Sequence, residues 1–106
     1  MPNTGLLHMV YFWLREEGRQ PDDAQKLIDG IKRNLPQIPG VLRLEAGEPA
    51  TTPRDVVDHS YGVALLVEFA DEEAHDVYQD HPDHLVFIEE CHSLWSRVQV
   101  YDSLIR

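Results

Sequence analysis

The sequence has little cysteine, little positive charge and no long hydrophobic run. Its one cysteine, Cys91, excludes an intrachain disulfide framework and a thiolate cluster that could hold a metal. Nine lysines and arginines against nineteen aspartates and glutamates give a net charge of −10, which repels phosphate backbones and anionic lipid. The apolar run 6–14 is too short to span a membrane, and residues 1–10 lack a basic signal-peptide start. We therefore expect a cytoplasmic protein with no nucleic-acid or membrane partner.

Length and charge distribution add two further expectations. A chain of 106 residues is a single domain, 1–106, because a second independent core would not fit. Acidic residues are concentrated in the interval 55–96, which contains no lysine or arginine. This interval is either a solvated helix surface or the surroundings of a site that avoids polyanions and prefers neutral or cationic ligands.

Hydrophobic periodicity predicts four strands and three helices. Segments rich in β-formers or alternating in polarity are the predicted strands, and prolines at 21 and 82 begin two of the predicted helices. The predicted strands are 6–14, 41–47, 61–69 and 97–104, and the predicted helices are 21–35, 71–80 and 82–94. The order β-α-β-β-α-α-β indicates an α+β, ferredoxin-like fold, in which helices cover one face of a four-stranded antiparallel sheet.

The first and third strands are apolar on both faces. In the first strand Val10 and Phe12 point one way, whereas Met9, Tyr11 and Trp13 point the other way. The chain supplies helices for only one face, so the other would be a large exposed apolar patch. We therefore predict a homodimer in which the sheets of two copies pack face to face.

His8 is the first candidate for acid–base chemistry. It is the only polar residue within the run 6–14, and its position in the alternation groups it with Val10 and Phe12. A histidine in such a strand either donates a hydrogen bond to a backbone carbonyl as a structural residue or acts as a base.

The segment 78–84, Tyr-Gln-Asp-His-Pro-Asp-His, supplies the other candidates. Its proline predicts a helix start, so His84 falls in a first turn, where the positive helix end keeps imidazole neutral and able to accept a proton. The free backbone N–H groups of Asp83 and His84 would face a developing oxyanion. Tyr78 would stay protonated and donate to a carbonyl oxygen. The alternative is that Tyr78 is a core aromatic and His81 an N-cap.

The sequence predicts no metal site and no cofactor. The histidines of the acidic half follow neither the HExxH nor a four-ligand zinc spacing. They are His75, His81, His84 and His92. Cys91 is disfavoured as a nucleophile because a buried free cysteine is ordinary.

Five segments together resemble one known family. They read LHMVYFWL, IPGV, SYGVALLVEFAD, VYQDHPDHLVF and VQVYD. This set resembles the stress-responsive A/B barrel (Dabb) family over nearly the whole chain, and Tyr-x-x-His-Pro-x-His is its specific part. The resemblance implies a dimeric α+β barrel with a small hydrophobic pocket between sheet and helices in each protomer.

One branch of that family carries an activity. The olivetolic acid cyclases of plants close a linear polyketide by aldol condensation without a cofactor, and their catalytic histidine and tyrosine match His84 and Tyr78. Their strand-one histidine matches His8. Two further cyclase residues correspond to Ile28 and Val63 here, which implies a more apolar pocket.

Two functions follow as expectations. The first is a stress-associated homodimer that binds a small, neutral, apolar molecule. The second is a cofactor-independent enzyme that abstracts a proton next to a carbonyl, with His84 as base, Tyr78 as donor and His8 beside them. Convergence of His84 and Tyr78 on one cavity would favour the second. The ligand-binding residues that we expect to line this cavity are Ile28, Phe87, Ile88 and Trp95.

Overall fold

The structure, a computed structural model, describes residues 4–106, so residues 1–3 of the predicted domain lie outside the described range. Its elements are β1 Leu6–Leu14, α1 Asp23–Asn34, β2 Val41–Gly47, β3 Val63–Phe69, α2 Glu72–Asp80, α3 Pro82–Cys91, a 3-10 turn His92–Leu94 and β4 Trp95–Leu104. The strands form one antiparallel sheet in the order β2-β3-β1-β4. The predicted α+β, ferredoxin-like order β-α-β-β-α-α-β is confirmed.

The core lies between the sheet and the helices. Residues of β1 and β3 alternate strictly between buried and half-buried positions, as the period of a strand requires. The buried set includes Val10, Phe12 and Phe69, which face Leu27 and Ile31 of α1 in one apolar cluster. His8 belongs to this buried, helix-facing set, as its place in the alternation predicts.

Helix α1 begins at Asp23, two residues later than the predicted start at Pro21. The Asp23 carboxylate is fully buried, where it accepts hydrogen bonds from the Arg15 guanidinium and the Gln20 backbone N–H. The Arg15 hydrogen bond holds the pKa of Asp23 below its usual range. A tertiary ion pair therefore sets the start of α1, whereas the sequence suggests only that an acid near the helix dipole is favourable.

Strand β4 begins at Trp95, whereas the sequence predicts a third helix up to Leu94 and a strand from Arg97. The last turn after α3 tightens into the 3-10 turn, and Trp95 then pairs with Leu14 across a register shift. Leu42 is a second correction. Alternation predicts it to point inward, but a bulge between Val41 and Arg43 leaves it 62% exposed.

Close packing of α1 on α3 explains why the Cys91 side chain is buried. A side chain at Gly30 would collide with the Cys91 sulfur, so the two helices approach at this point because Gly30 has none. The thiol is buried, and burial raises its pKa. Cys91 is thus a packing residue, in agreement with its unsuitability as a nucleophile.

Candidate active site

A cavity of about 190 Å³ opens between the sheet and the α2–α3 corner. Its walls combine both histidines and the tyrosine predicted from the sequence with apolar side chains of β1, β3, α3 and β4. The lining residues are His8, Val10, Phe12, Leu65, Tyr78, Gln79, His84, Phe87, Ile88, Trp95, Val98 and Val100. The structure therefore brings His8, Tyr78 and His84 together at one cavity.

His8 is oriented by a carboxylate on the neighbouring strand. The register pairs His8 with Asp102, and the His8 Nδ1 to Asp102 Oδ1 distance is 2.6 Å. Burial lowers the pKa of His8 more than its hydrogen bond to Asp102 raises it, so the ring is neutral at neutral pH. A neutral ring that donates Nδ1–H to a carboxylate carries its lone pair on Nε2.

His84 lies in the first turn of α3, as predicted, and its ring is partly buried at the cavity wall. Burial lowers its pKa, with smaller contributions from the neighbouring His8 and His75, so the ring is neutral at pH 7. Its Nδ1 atom is buried without a hydrogen-bond partner among residues 4–106. A buried polar atom without a partner is uncommon in a folded protein, and it marks the His84 ring as a candidate functional group.

Tyr78 lies between the two imidazoles. Its ring centroid is 4.8 Å from that of His84 and 5.8 Å from that of His8, both edge to face. The residue is 1% exposed, and burial raises the pKa of its hydroxyl well above the ordinary value of 10.0. Tyr78 is therefore a protonated donor over the whole physiological range.

The helix-end amides predicted for an oxyanion are already engaged. His81 is the N-cap of α3: its Nδ1 accepts from the Asp83 N–H, and its carbonyl accepts from the His84 N–H. The alternative interpretation of His81 as an N-cap is thus correct, and the oxyanion role for these two amides is wrong. A side chain rather than the backbone has to stabilise negative charge in this cavity.

The expected apolar lining is found for three of four residues. Phe87 and Ile88 of α3 and Trp95 border the cavity, although Trp95 does so from β4 and not from a helix. Ile28 is buried in the core and is not part of the lining. It belongs to α1, which packs on β2, β3 and α3, whereas the cavity opens towards β4.

Sequence reasoning missed two polar residues beside the cavity, Asp102 and His75. His75 lies one helical turn before Tyr78, and its ring centroid is 4.9 Å from that of His8. The spacing of three residues between His75 and Tyr78 was a usable signal, because it puts both on one face of α2. Asp102 gave no such signal, since its position opposite His8 depends on the pairing register of two distant strands.

A larger recess of about 390 Å³ lies on the other face of the sheet. Its lining is aromatic, with one carboxylate and no histidine: Met9, Tyr11, Trp13, Asp58, Tyr61 and Tyr101. Its carboxylate, Asp58, is a weak base because hydrogen bonds from Ser60 hold its pKa below the usual range, so size alone does not make this recess the better candidate for chemistry. We refer below to this side of the sheet, defined by Leu7, Met9, Tyr11 and Trp13 of β1, as the open face.

Among the described residues, no helix is long and apolar enough to cross a membrane. No curated protein sequence matches the chain.

Solved structures share the fold over nearly the full length. A dimeric ferredoxin-like protein of unknown function from Thermobifida fusca has a TM-score of 0.79 at 18% identity, covering 97% of this chain and 92% of that one. A Dabb family protein with a ferredoxin-like fold from Mesorhizobium loti has a TM-score of 0.77 at 25% identity, covering 98% and 99%. The hydroxynitrile lyase of Passiflora edulis has a TM-score of 0.79 at 16% identity, covering 100% and 96%.

The family model described as the stress responsive A/B barrel domain, Dabb, matches residues 6–105. This match spans every strand and helix of the fold, together with the three predicted catalytic residues His8, Tyr78 and His84. The chain therefore belongs to the Dabb family.

Proposed function

We propose that this protein binds a small, neutral, largely apolar carbonyl compound in the cavity and abstracts a proton from the carbon next to the carbonyl, without a cofactor. The observation that carries the proposal is the convergence of His8, Tyr78 and His84 on one apolar cavity. Two neutral imidazoles and a protonated phenol are the groups that such chemistry needs.

The cavity limits the ligand. Its volume of about 190 Å³ is below the range of roughly 300–1,000 Å³ that is usual for drug-sized ligands. Its walls are mainly aliphatic and aromatic, and the chain carries a net charge of −10, so an anionic ligand is disfavoured. A small neutral molecule satisfies both conditions.

Each residue has one role in the proposed step. His84 accepts the proton from carbon, and the C–H electron pair moves onto the carbonyl oxygen to form an enolate. The Tyr78 hydroxyl donates to that oxygen, a task that falls to it because the amides of Asp83 and His84 are engaged. His8, oriented by Asp102, is the second imidazole that can exchange a proton with the bound molecule. Because no metal assists in this scheme, the carbon must already be acidified, as in a β-dicarbonyl compound.

Hydrogen–deuterium exchange at the activated carbon tests the proposal. In deuterated water, wild-type protein should accelerate exchange in neutral β-dicarbonyl compounds, and His84→Ala should abolish the acceleration. Tyr78→Phe should reduce it by about tenfold or more, as expected for the loss of a positioned donor. His59→Gln, at an exposed position outside the cavity, is the matched control and should behave as wild type.

Exchange no faster than in buffer across a panel of such compounds would contradict the catalytic step. Binding of the same compounds by calorimetry, lost when Ile88 is replaced by Glu at the cavity wall, would then identify the protein as a binding module without catalysis.

We also propose that the protein is a homodimer joined through the open face. The half-buried Met9, Tyr11 and Trp13 form a continuous apolar surface there, and Tyr101 beside them is 57% exposed. A second copy of the same sheet would cover this surface. The likeness to the Thermobifida fusca protein, described as dimeric, supports this arrangement.

A further inference from the structure

We propose that His8, His75 and Asp102 form a binding site for one divalent transition-metal ion such as Zn²⁺ or Co²⁺. Their potential ligand atoms lie within 4.8 Å of one another. The inference goes beyond the proposed proton transfer and does not depend on it.

A single carboxylate joins the two imidazoles. Asp102 Oδ1 accepts from His8 Nδ1 at 2.6 Å, and Asp102 Oδ2 lies 3.8 Å from His75 Nε2. Zinc–nitrogen and zinc–oxygen bonds of about 2.0–2.2 Å allow a bridged N···O separation of up to about 4.2 Å. The 3.8 Å gap therefore accommodates an ion between His75 and Asp102. The ion would take the place of the proton that His8 shares with Asp102, and that N···O distance would open to about 3.4 Å, as tetrahedral coordination requires.

The environment also suits an ion. His8 is buried, His75 is half-buried and Asp102 is reached from solvent, so the cluster has an apolar floor and an entry path. The Gln79 amide lies 3.1 Å from His75 Nε2 and would release this nitrogen to the ion, because one lone pair cannot both accept a hydrogen bond and bind a metal. Two imidazoles with one carboxylate favour zinc, cobalt, nickel or iron over magnesium and calcium, which prefer oxygen ligands.

The ligands come from β1, α2 and β4, which explains why no metal-binding motif is visible along the chain. Two of the histidines that the sequence analysis grouped with His75 make other contacts. His81 caps α3, and His92 Nδ1 contacts the Ile88 carbonyl. Since His8 also borders the cavity, an ion held here lies at the cavity edge, where a vacant coordination position can accept a carbonyl oxygen.

Metal titration of chelator-treated protein tests the proposal without any substrate. Co²⁺ followed by visible absorption, and Zn²⁺ followed by calorimetry, should each show one ion bound per chain. His75→Gln and Asp102→Asn should each weaken binding by about tenfold or more. His59→Gln should bind as wild type, and circular dichroism checks that each variant is folded.

A second measurement does not rely on variants. Paramagnetic Co²⁺ should broaden the imidazole resonances of His8 and His75 and leave those of His59 sharp. Absence of binding at micromolar metal, equal binding of Mg²⁺, or full affinity in His75→Gln would overturn the proposal. Because the proposed proton transfer uses no metal, chelator-treated wild-type protein should retain carbon–deuterium exchange, which keeps the two proposals separable.

Discussion

The two faces of strand β1 are both apolar, yet only one is buried by this chain. Val10 and Phe12 pack under the helices, whereas Met9, Tyr11 and Trp13 on the open face remain half-buried. The covered face holds His8 and the cavity, so one chain supplies the whole candidate active site. The recess on the open face is lined by aromatic side chains and one carboxylate, Asp58, but by no histidine.

This difference indicates that the two faces of the sheet have different roles. Burial under the helices provides the core, and it also provides the low-dielectric surroundings that lower the pKa of His8 and His84. The open face has no such covering from its own chain, and its apolar area is best used for association. Substitutions on the two faces should therefore affect different properties.

The largest expected effect comes from truncation on the covered face. Leu65 and Leu66 are neighbours on β3, but Leu65 is buried and Leu66 is half-buried on the open face. Leu65→Ala should lower the free energy of unfolding by about 2–5 kcal/mol. Leu66→Ala is the matched control and should lower the free energy of unfolding by less. If a partner chain covers Leu66, this loss should depend on protein concentration. Urea unfolding measures both, and equal losses would contradict the distinction between the faces.

The next effect concerns association through the open face. Met9→Glu would place a carboxylate within the proposed apolar interface, opposite Tyr101 and Leu66 of the sheet. The dimer dissociation constant should rise by about tenfold or more, equivalent to about 1.4 kcal/mol. Sedimentation velocity at micromolar concentration should show monomer for the variant and dimer for the wild type. A wild-type monomer at that concentration would refute the dimer.

The order of strands and helices could be predicted from the sequence because the strands are marked by their composition and by the two-residue alternation of their side chains. Both ends of β1 and of β2 are predicted correctly from composition and alternation. The start of α1 was not accessible, because it depends on a buried ion pair between Arg15 and Asp23 that only the folded chain forms. Trp95 falls between the predicted third helix and the predicted fourth strand, since nothing local shows that the helix tightens into a 3-10 turn and that β4 begins directly after it.

Part of the candidate site could also be predicted from the sequence. His8, Tyr78 and His84 were found from strand parity, proline placement and the family resemblance, and the cavity unites them. Asp102 required the register of β1 with β4, whereas His75 could have been found from its spacing of three residues from Tyr78 on α2. The engagement of the amides at the start of α3 was predicted only by the alternative in which His81 is an N-cap, because a histidine N-cap competes with a bound anion for the same donors.

The smallest expected effect is the response of the covered face to acid. The pKa of His84 is lowered on folding, so the unfolded chain binds more protons than the native chain as the pH falls below about 6.5. Stability that is fully present above that pH should therefore decline towards pH 5. His84→Gln should flatten this decline, while His59→Gln, at an exposed position outside the cavity, should keep the wild-type slope. Urea unfolding at a series of pH values gives each slope, and the surface carboxylates contribute equally to all three proteins. An unchanged slope in His84→Gln would mean that the ring keeps its ordinary affinity for protons and reaches water freely, which would also remove the reason for treating it as a neutral base at the cavity.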